Sequence, residues 1–487
     1  MKKIKFSQII SIISFIFLFV GTAFAAETSV LLNSNAKDVQ VSGENYIFTT
    51  GDSYCTPEIN GAFTLSYSRG MVYCGDVQYK LPLTITSQNP ICINGNNYKG
   101  RIVLEENEGK LCIVNYLDTE DYLAGVLACE MSPKWPVEAL KAQAVLARTY
   151  LLQTTGKRHG KYDICCTEHC QAYNGLPKDS GNITRALEET KDIVVCYNNQ
   201  PMQVFFFADS GGVTASSSDV WDGEKIPYLT SRPDPDAISG KFATWKFRCN
   251  MTLLQEKLLA KGIDLGTIVS VTPTERDGSG RVKKLEIKGE NGTKQISASQ
   301  FRSMLGAKDI KSTLFRFAKA DEGEATQPEN PTSVNKPVAK SSYTKTSSKS
   351  GEKFQSKIDE LMWLGDQGAY TTRELCAILV DFDNYDTYIA KGHEILKTGK
   401  KTKENTPDTT ISNDLVVEEV STPAEGNIKI TNESASGNVF MVIGYGYGHG
   451  VGMPQNQCKY LAEAGWTYDQ ILSYYFSGTN LGRLEVK

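Results

Sequence analysis

The sequence predicts an α+β protein, and three observations predict it. Up to about residue 110, short alternating runs such as Phe63-Thr-Leu-Ser-Tyr67 and Arg101-Ile-Val-Leu104 are separated by Gly, Asn and Pro, the pattern of strands and turns. Beyond that point helix-period and strand-like segments mix. From about 318 to 437 the chain is mostly polar, and a segment of that kind buries too little surface to offset its chain entropy. The expected architecture is a mixed core behind a β-rich N-terminal region, broken by a largely disordered insert.

Each element follows in order. Met1-Lys-Lys-Ile-Lys5 is basic, Ile9 to Val20 is apolar apart from Ser11 and Ser14, and Ala23-Phe24-Ala25 is a small-x-small site. This is the layout of a secretory signal peptide over 1–25; the alternative is an uncleaved membrane anchor. Either way the rest of the chain is expected outside the cytoplasm. Residues 26–110 form the β-rich region. In the first part of the core, 111–317, Leu111 to Asn115 reads as a strand and Asp121 to Leu127 as a short helix. Pro136 to Leu152 reads as an amphipathic helix with Val137, Leu140, Ala144, Ala147 and Leu151 on one face. Pro136 suits its first turn. Ile193 to Tyr197 and Met202 to Ala208 read as strands joined by an Asn198-Asn199 turn. A helix near Leu253 to Lys261 and strands around Gly280 follow. In the polar region 318–437, residues 353–396 read as a small helical insert carrying Ile358, Leu361, Met362, Leu375, Ile378 and Leu379. The core resumes over 438–487, with a strand at Val439 to Ile443 and helix from about Gln455 to Tyr475.

Composition narrows the function classes. The net charge of −4 offers no broad basic field for nucleic acid. Twelve cysteines in an exported chain can pair, and Cys55, Cys74, Cys92 and Cys112 are expected as disulfide partners in the N-terminal region.

Four constellations carry candidate chemistry. Glu130, in Ala128-Cys-Glu-Met-Ser-Pro133, stands among small and apolar residues just before a helix start. Desolvation there can raise a carboxyl pKa enough for general acid work; the plain alternative is a solvated surface glutamate. Lys141, Gln143 and Arg148 share a helix, and Lys141 and Arg148, seven residues apart, share a face that could hold a polar substrate. His159, Cys165, Cys166, His169 and Cys170 supply thiolate and imidazole donors suited to tetrahedral zinc; a disulfide at Cys165 and Cys170 is the competing reading. Gly444 to Met453 alternates glycine with Tyr, His and Val. That run lets the backbone approach a ligand closely, and His449 within it could touch a sugar or orient an acid. It lacks the Gly-Lys-Ser/Thr ending of a phosphate loop.

Five segments occur in a shared order: Asp121 to Met131, Ala139 to Tyr150, His169-Cys-Gln171, Phe205 to Gly212 and Gly448 to Met453. In this the chain resembles the stage II sporulation protein D family, the SpoIID/LytB domain, over about 98–316 and 438–487. The polar insert is foreign to that domain, and Pro454 stands where the family commonly has Ser. The resemblance implies a SpoIID-like catalytic core and a lytic transglycosylase that cuts peptidoglycan glycan strands stripped of stem peptides, as in sporulation engulfment. Glu130 would be the catalytic acid. Lys141, Arg148, Gln171, Tyr173, Ser210 and His449 would line the groove. Zinc, structural in role, would sit on His159, Cys165 and Cys170, with His169 or Cys166 as substitutes. Some relatives instead enhance an N-acetylmuramoyl-L-alanine amidase without cutting anything, which leaves a binding module as the second reading. Asp209 and Asp219 are the candidates for a second carboxylate.

Overall fold

The computed structural model describes residues 18–20, 27–51, 53–54, 56, 59–155, 160–221, 223–234, 242, 244–320, 364, 369, 385–398 and 432–484. A run of strands precedes the first helix and helices and strands mix after it, an α+β fold. The chain divides into two compact units, Met1–Val204 with Thr479–Lys487, and Phe205–Gly478. This division falls inside the stretch 111–317, and the last strand belongs to the first unit.

The first unit is built on a long, mainly antiparallel sheet. Its order is Ile164–Cys165, Glu27–Ala36, Lys110–Asp118, Arg101–Asn107, Leu83–Thr86, Asp38–Thr50, Ile59–Ser68, Met71–Cys74, Val77–Lys80. Arg101–Asn107 is hydrogen-bonded on both edges, and its Ile102, Val103 and Leu104 are all buried. Glu108 and Gly109 join it to the next strand with φ of 52° and 74°, the conformation a tight hairpin with right-handed twist requires. The Asn198-Asn199 turn does the same, with φ of 50° and 62°.

The three described cysteines of the N-terminal region do not pair with one another as expected. Cys74, Cys92 and Cys112 are unpaired thiols. They stand on three different strands, and Cys112 is buried against Val114 and Tyr162. The sheet already closes this region through its ladder and core, so cross-links are not needed to hold it. Cys55 lies outside the described residues.

Two helices cross the end of that sheet. α1 (Thr119–Glu130) starts where Asp118 ends the strand Lys110–Asp118, and the Asp118 carboxylate accepts from the backbone N–H of Glu120 and Asp121. Such a cap contributes about 1 kcal/mol. α2 (Val137–Thr154) departs from the expected amphipathic helix in two ways. Pro136 is its N-cap, one position before the first turn. The helix is also buried nearly all round, with Lys141, Gln143, Arg148 and Thr149 covered as well as the apolar face. A helix covered on every side is a core element. α3 (Ile183–Glu189) packs on α2. Ile193–Tyr197 then pairs with Asn480–Leu484, whose other edge carries Leu18–Val20, from the stretch expected as the leader's apolar run.

The second unit opens with α4 (Ser217–Val220), followed by α5 (Met251–Leu259) and α6 (Ala298–Leu305). Of the strand expected at Met202 to Ala208, only Phe206–Phe207 is strand; the short strand before it, Gln200–Pro201, ends ahead of Met202. In one sheet Val439–Gly444 lies between Trp245–Asn250 and Phe315–Lys319. In the other the order is Gly292–Ser297, Val282–Gly289, Ile268–Arg276, Ala435–Ser436. One apolar core, with Leu285, Phe301, Phe317 and Val442 fully buried, joins these strands to α5 and α6.

The strand to Lys319 runs two residues past the expected boundary at 317, and Lys319 pairs with Phe440. The ends of the polar insert are therefore neighbours, so the intervening chain only has to close a loop, whose entropy cost grows slowly with length. Within the insert α7 (Tyr385–Thr398) is described. Ile358, Leu361, Met362, Leu375, Ile378 and Leu379 lie outside the described residues. α8 (Gln455–Glu463) and α9 (Tyr468–Tyr475) replace the expected continuous helical stretch, parted at Gly465 with φ of 93°.

Candidate functional site

Glu130 is the last residue of α1 and is half-buried. The helix stops there because Met131 turns extended, its N–H still donating to Leu127 O at 2.8 Å. Tyr122, Leu123, Val126 and Leu127 anchor the helix in the core. The carboxyl thus sits at the carbonyl end of a fixed helix, where the helix dipole disfavours an anion.

Lys141 and Arg148 do share a face of α2, but that face is internal. Lys141 Nζ lies 2.7 Å from Glu138 Oε1 and also pairs with Glu189 at the end of α3. Arg148 is fully buried. Its Nε and Nη2 donate to the two carboxylate oxygens of Glu120, and Nη1 donates to the carbonyls of Thr190 and Ile193 at 2.9 and 3.0 Å. Arg148 therefore ties α1 and α2 to the start of Ile193–Tyr197. It is a structural clamp, which corrects its expected role as a groove contact.

Gln171 and Tyr173 are also inside. Tyr122 Oη donates to Gln171 Oε1 at 3.2 Å, and Gln171 Nε2 donates to Ala147 O. Tyr173 is 2% exposed, and its hydroxyl donates to Asn115 Oδ1 at 2.9 Å. Both corrections have one cause: the loop after Cys170 folds under α1 rather than over a groove. A separate cavity of about 530 Å³ opens at the start of α1, away from Glu130. Three of its carboxylates are already engaged: Asp118 by the helix cap, Glu120 by Arg148 and Asp121 by Lys99.

The thiol and imidazole donors converge. Ligand atoms of Cys165, His169 and Cys170 all lie within 4.8 Å of one another. His169 Nδ1 is 3.7 Å from Cys165 Sγ and 3.4 Å from Cys170 Sγ. Tetrahedral zinc places sulfur and nitrogen donors roughly 3.6 Å apart, so this donor set fits the metal. Burial opposes ionisation of Cys165, but hydrogen bonds from Thr167 and Cys170 outweigh it and hold the thiol below its usual range. Cys166 Sγ donates instead to Leu32 O at 3.3 Å. His159 lies outside the described residues.

In the second unit Ser210 is fully buried, in a turn where its Oγ accepts from Gly212 N–H and its carbonyl accepts from Arg281 Nη2 at 2.9 Å. It shapes the turn and presents no hydroxyl to a groove, which corrects its expected role. His449 is half-buried, and its Nδ1 accepts from Val451 N–H at 3.1 Å. Asp209 is buried and bonded to Asn456 and Gly211. Asp219 is half-buried, with Lys283 3.8 Å away. The residues that sequence reasoning missed are the partners of these side chains: Glu120, half-buried, Glu189, exposed, and Arg281, buried. They adjoin their partners only in the fold, and no spacing announces them.

Residues 107–197, the segment from Lys110–Asp118 through Ile193–Tyr197, match the family described as stage II sporulation protein, SpoIID. Stage II sporulation protein D of Bacillus amyloliquefaciens is 31% identical over 199 residues, and that of Bacillus subtilis 30% over 198; each alignment covers 37% of this chain and 57% of the relative. Residues 107–197 are a SpoIID domain. This segment carries Glu130 and the Cys165–His169–Cys170 cluster. A protein named amidase enhancer, from Bacillus subtilis, is 28% identical over 406 residues, 82% of this chain and 46% of the relative. The chain thus spans about half the length of these relatives. Residues 241–331, in the second unit, match a domain of unknown function. No helix among the described residues is long and apolar enough to cross a membrane.

Proposed function

We propose that this SpoIID-domain protein is an exported cell-wall enzyme, a lytic transglycosylase of denuded peptidoglycan strands, with Glu130 as its acid and base. The observation that carries the reading is the placement of Glu130: half-buried, at the carbonyl end of a capped and core-anchored helix, inside the family segment. Glu130 protonates the glycosidic oxygen as the bond to the anomeric carbon breaks. Its carboxylate then takes the proton of the muramic 6-hydroxyl, whose oxygen bonds to that carbon and closes a 1,6-anhydro ring. The nucleophile is tethered to the reacting sugar, so the ring closure gains from proximity. A hydrolase of the usual kind needs a second carboxylate flanking the bond. Asp209 supports no such role here, because it is buried and bonded within its own loop.

The test is product analysis on purified denuded glycan. Glu130→Gln is expected to lower release of anhydro-muramyl ends by at least about 100-fold, the low end for loss of a general acid, while circular dichroism is unchanged. Equal release by both proteins removes Glu130 from the chemistry. The amidase enhancer likeness, which extends over 82% of this chain, favours one second reading. In that reading the chain yields no cut ends alone and accelerates an N-acetylmuramoyl-L-alanine amidase added to whole peptidoglycan.

The Cys165–His169–Cys170 cluster is proposed as a structural zinc site that ties down the loop beneath α1. Zinc would supply cross-linking there and no bond cleavage. Elemental analysis is expected to find about one zinc per chain, and chelation to lower the melting temperature. A Cys165–Cys170 disulfide in the purified protein would sink this assignment.

A further inference from the structure

Three separate segments of the second unit meet at one aromatic cluster. Phe205 and Phe207 come from the strand Phe206–Phe207 and its approach. Trp221 caps the end of α4, its N–H donating to Ser217 O at 2.9 Å. His449 comes from the glycine-rich loop. The Trp221 ring centroid is 4.5 Å from that of Phe205 and 5.3 Å from that of His449, and the His449–Phe207 separation is 5.4 Å. The glycines make this approach possible. A Cβ on Gly448 would meet Phe207 Cβ at 2.7 Å, and one on Gly452 would meet Phe205 O at 2.1 Å. Hydrogen bonds from Met453 N to Phe205 O and from Ala215 N to Gly450 O lock the loop to both neighbours.

Most of this cluster is covered, but Trp221 is 38% exposed. It is the one aromatic side chain among the exposed large hydrophobics of the described residues. Two residues earlier in the chain, Asp219 stands half-buried, paired with Lys283 at 3.8 Å, and Lys283 also lies 3.7 Å from Glu275. A partly exposed indole held by two neighbouring rings suits a pyranose. One face of such a sugar is lined by C–H groups and its rim by hydroxyls. An apolar face with a few placed polar groups is how small polar-rimmed ligands are held.

We propose that Trp221, braced by Phe205 and His449, is a stacking platform for a sugar ring of the glycan strand. The proposal rests on the glycan reading above and adds a binding residue in the second unit. The strand would lay one pyranose on the indole.

The experiment titrates a peptide-free glucosaminyl-muramyl tetrasaccharide into the full chain carrying Glu130→Gln, reading tryptophan fluorescence and, in parallel, heat of binding. The parent is expected to bind with a change in emission. Adding Trp221→Ala is expected to weaken binding about tenfold, equivalent to about 1.4 kcal/mol. Trp221→Phe should retain part of the affinity and lose the emission change. Binding by the parent that is equal in both Trp221 variants overturns the platform and leaves the glycan reading standing. Absence of binding by the parent overturns both. If Trp221→Ala fails to fold, Trp221→Phe decides: an emission change like the parent's overturns the platform.

Discussion

His449 and Arg148 carry similar prominence in the sequence and different fates in the fold. Burial pushes the His449 imidazole down to about 4. A backbone hydrogen bond to Phe206 opposes that shift, and the charges of Arg302 and Arg281 add to it. The ring is therefore neutral near pH 7, with Nδ1 accepting from the backbone and the ring free to act as an aromatic surface. The unfolded chain, with a histidine pKa of about 6.5, binds the proton that the fold refuses. Stability from this group is present above pH of about 6.5 and is lost as pH falls toward about 4. Over that window His449→Phe is expected to flatten the fall in unfolding free energy by up to about 3 kcal/mol. Urea melts across the window check this, and identical pH slopes for both proteins would contradict it. Arg148 could be read as a substrate contact because its charge and spacing were visible. Its partner Glu120 and the carbonyls it holds lie 28 to 45 residues away in sequence, so its burial was not visible.

At the scale of elements, α1 tests how tightly Glu130 is held. Gly125 lies at the middle of the helix, and an added Cβ would meet Gly175 O and Tyr173 Cε2, each at 2.5 Å. In an exposed helix, Gly to Ala stabilises by about 1 kcal/mol. Here the sign is expected to reverse, with Gly125→Ala costing about 1–3 kcal/mol through overpacking and disturbing Glu130 at the helix end. Thermal melts and glycan assays report the two effects separately, and a raised melting temperature would contradict the packing. Most element identities were legible in the sequence: the strands at Leu111 and Val439, the helices of the core and the Asn198-Asn199 turn all reflect local periodicity or backbone preference. The strand expected over Met202 to Ala208 was not, because the ladder to Ile193–Tyr197 is made by Gln200–Pro201 and ends with the Met202 N–H on Val195 O, while only Phe206 and Phe207 form a strand, with Met453–Pro454. Local apolar character cannot reveal where a ladder stops.

At the scale of the molecule, the C-terminal strand makes the first unit depend on residues nearly 300 positions downstream of its own partner. Ile193 to Cys196 pair with Arg483 to Asn480, and Leu484 is buried with Val194 and Cys196. Ending the chain at Gly478 is expected to uncover that edge and destabilise the first unit by at least about 2 kcal/mol, the scale of one buried leucine. The second unit, whose core is separate, should melt as before. Calorimetry that shows both transitions unmoved would refute the dependence.

The sequence by itself determined the class of fold, the order of the SpoIID motifs and the choice of Glu130, because local periodicity and motif order are properties of neighbouring residues. Only the tertiary structure decided which polar side chains face inward. Arg148, Gln171, Tyr173 and Ser210 read as groove residues until the fold supplied each with a distant partner. The tertiary structure also decided that Cys74, Cys92 and Cys112 stay unpaired, that His169 joins Cys165 and Cys170, and that Trp221 meets His449. The physical reason is the same throughout. A hydrogen bond, a ligand shell or a ring contact depends on distance in space, and residues far apart in sequence carry no local sign of it.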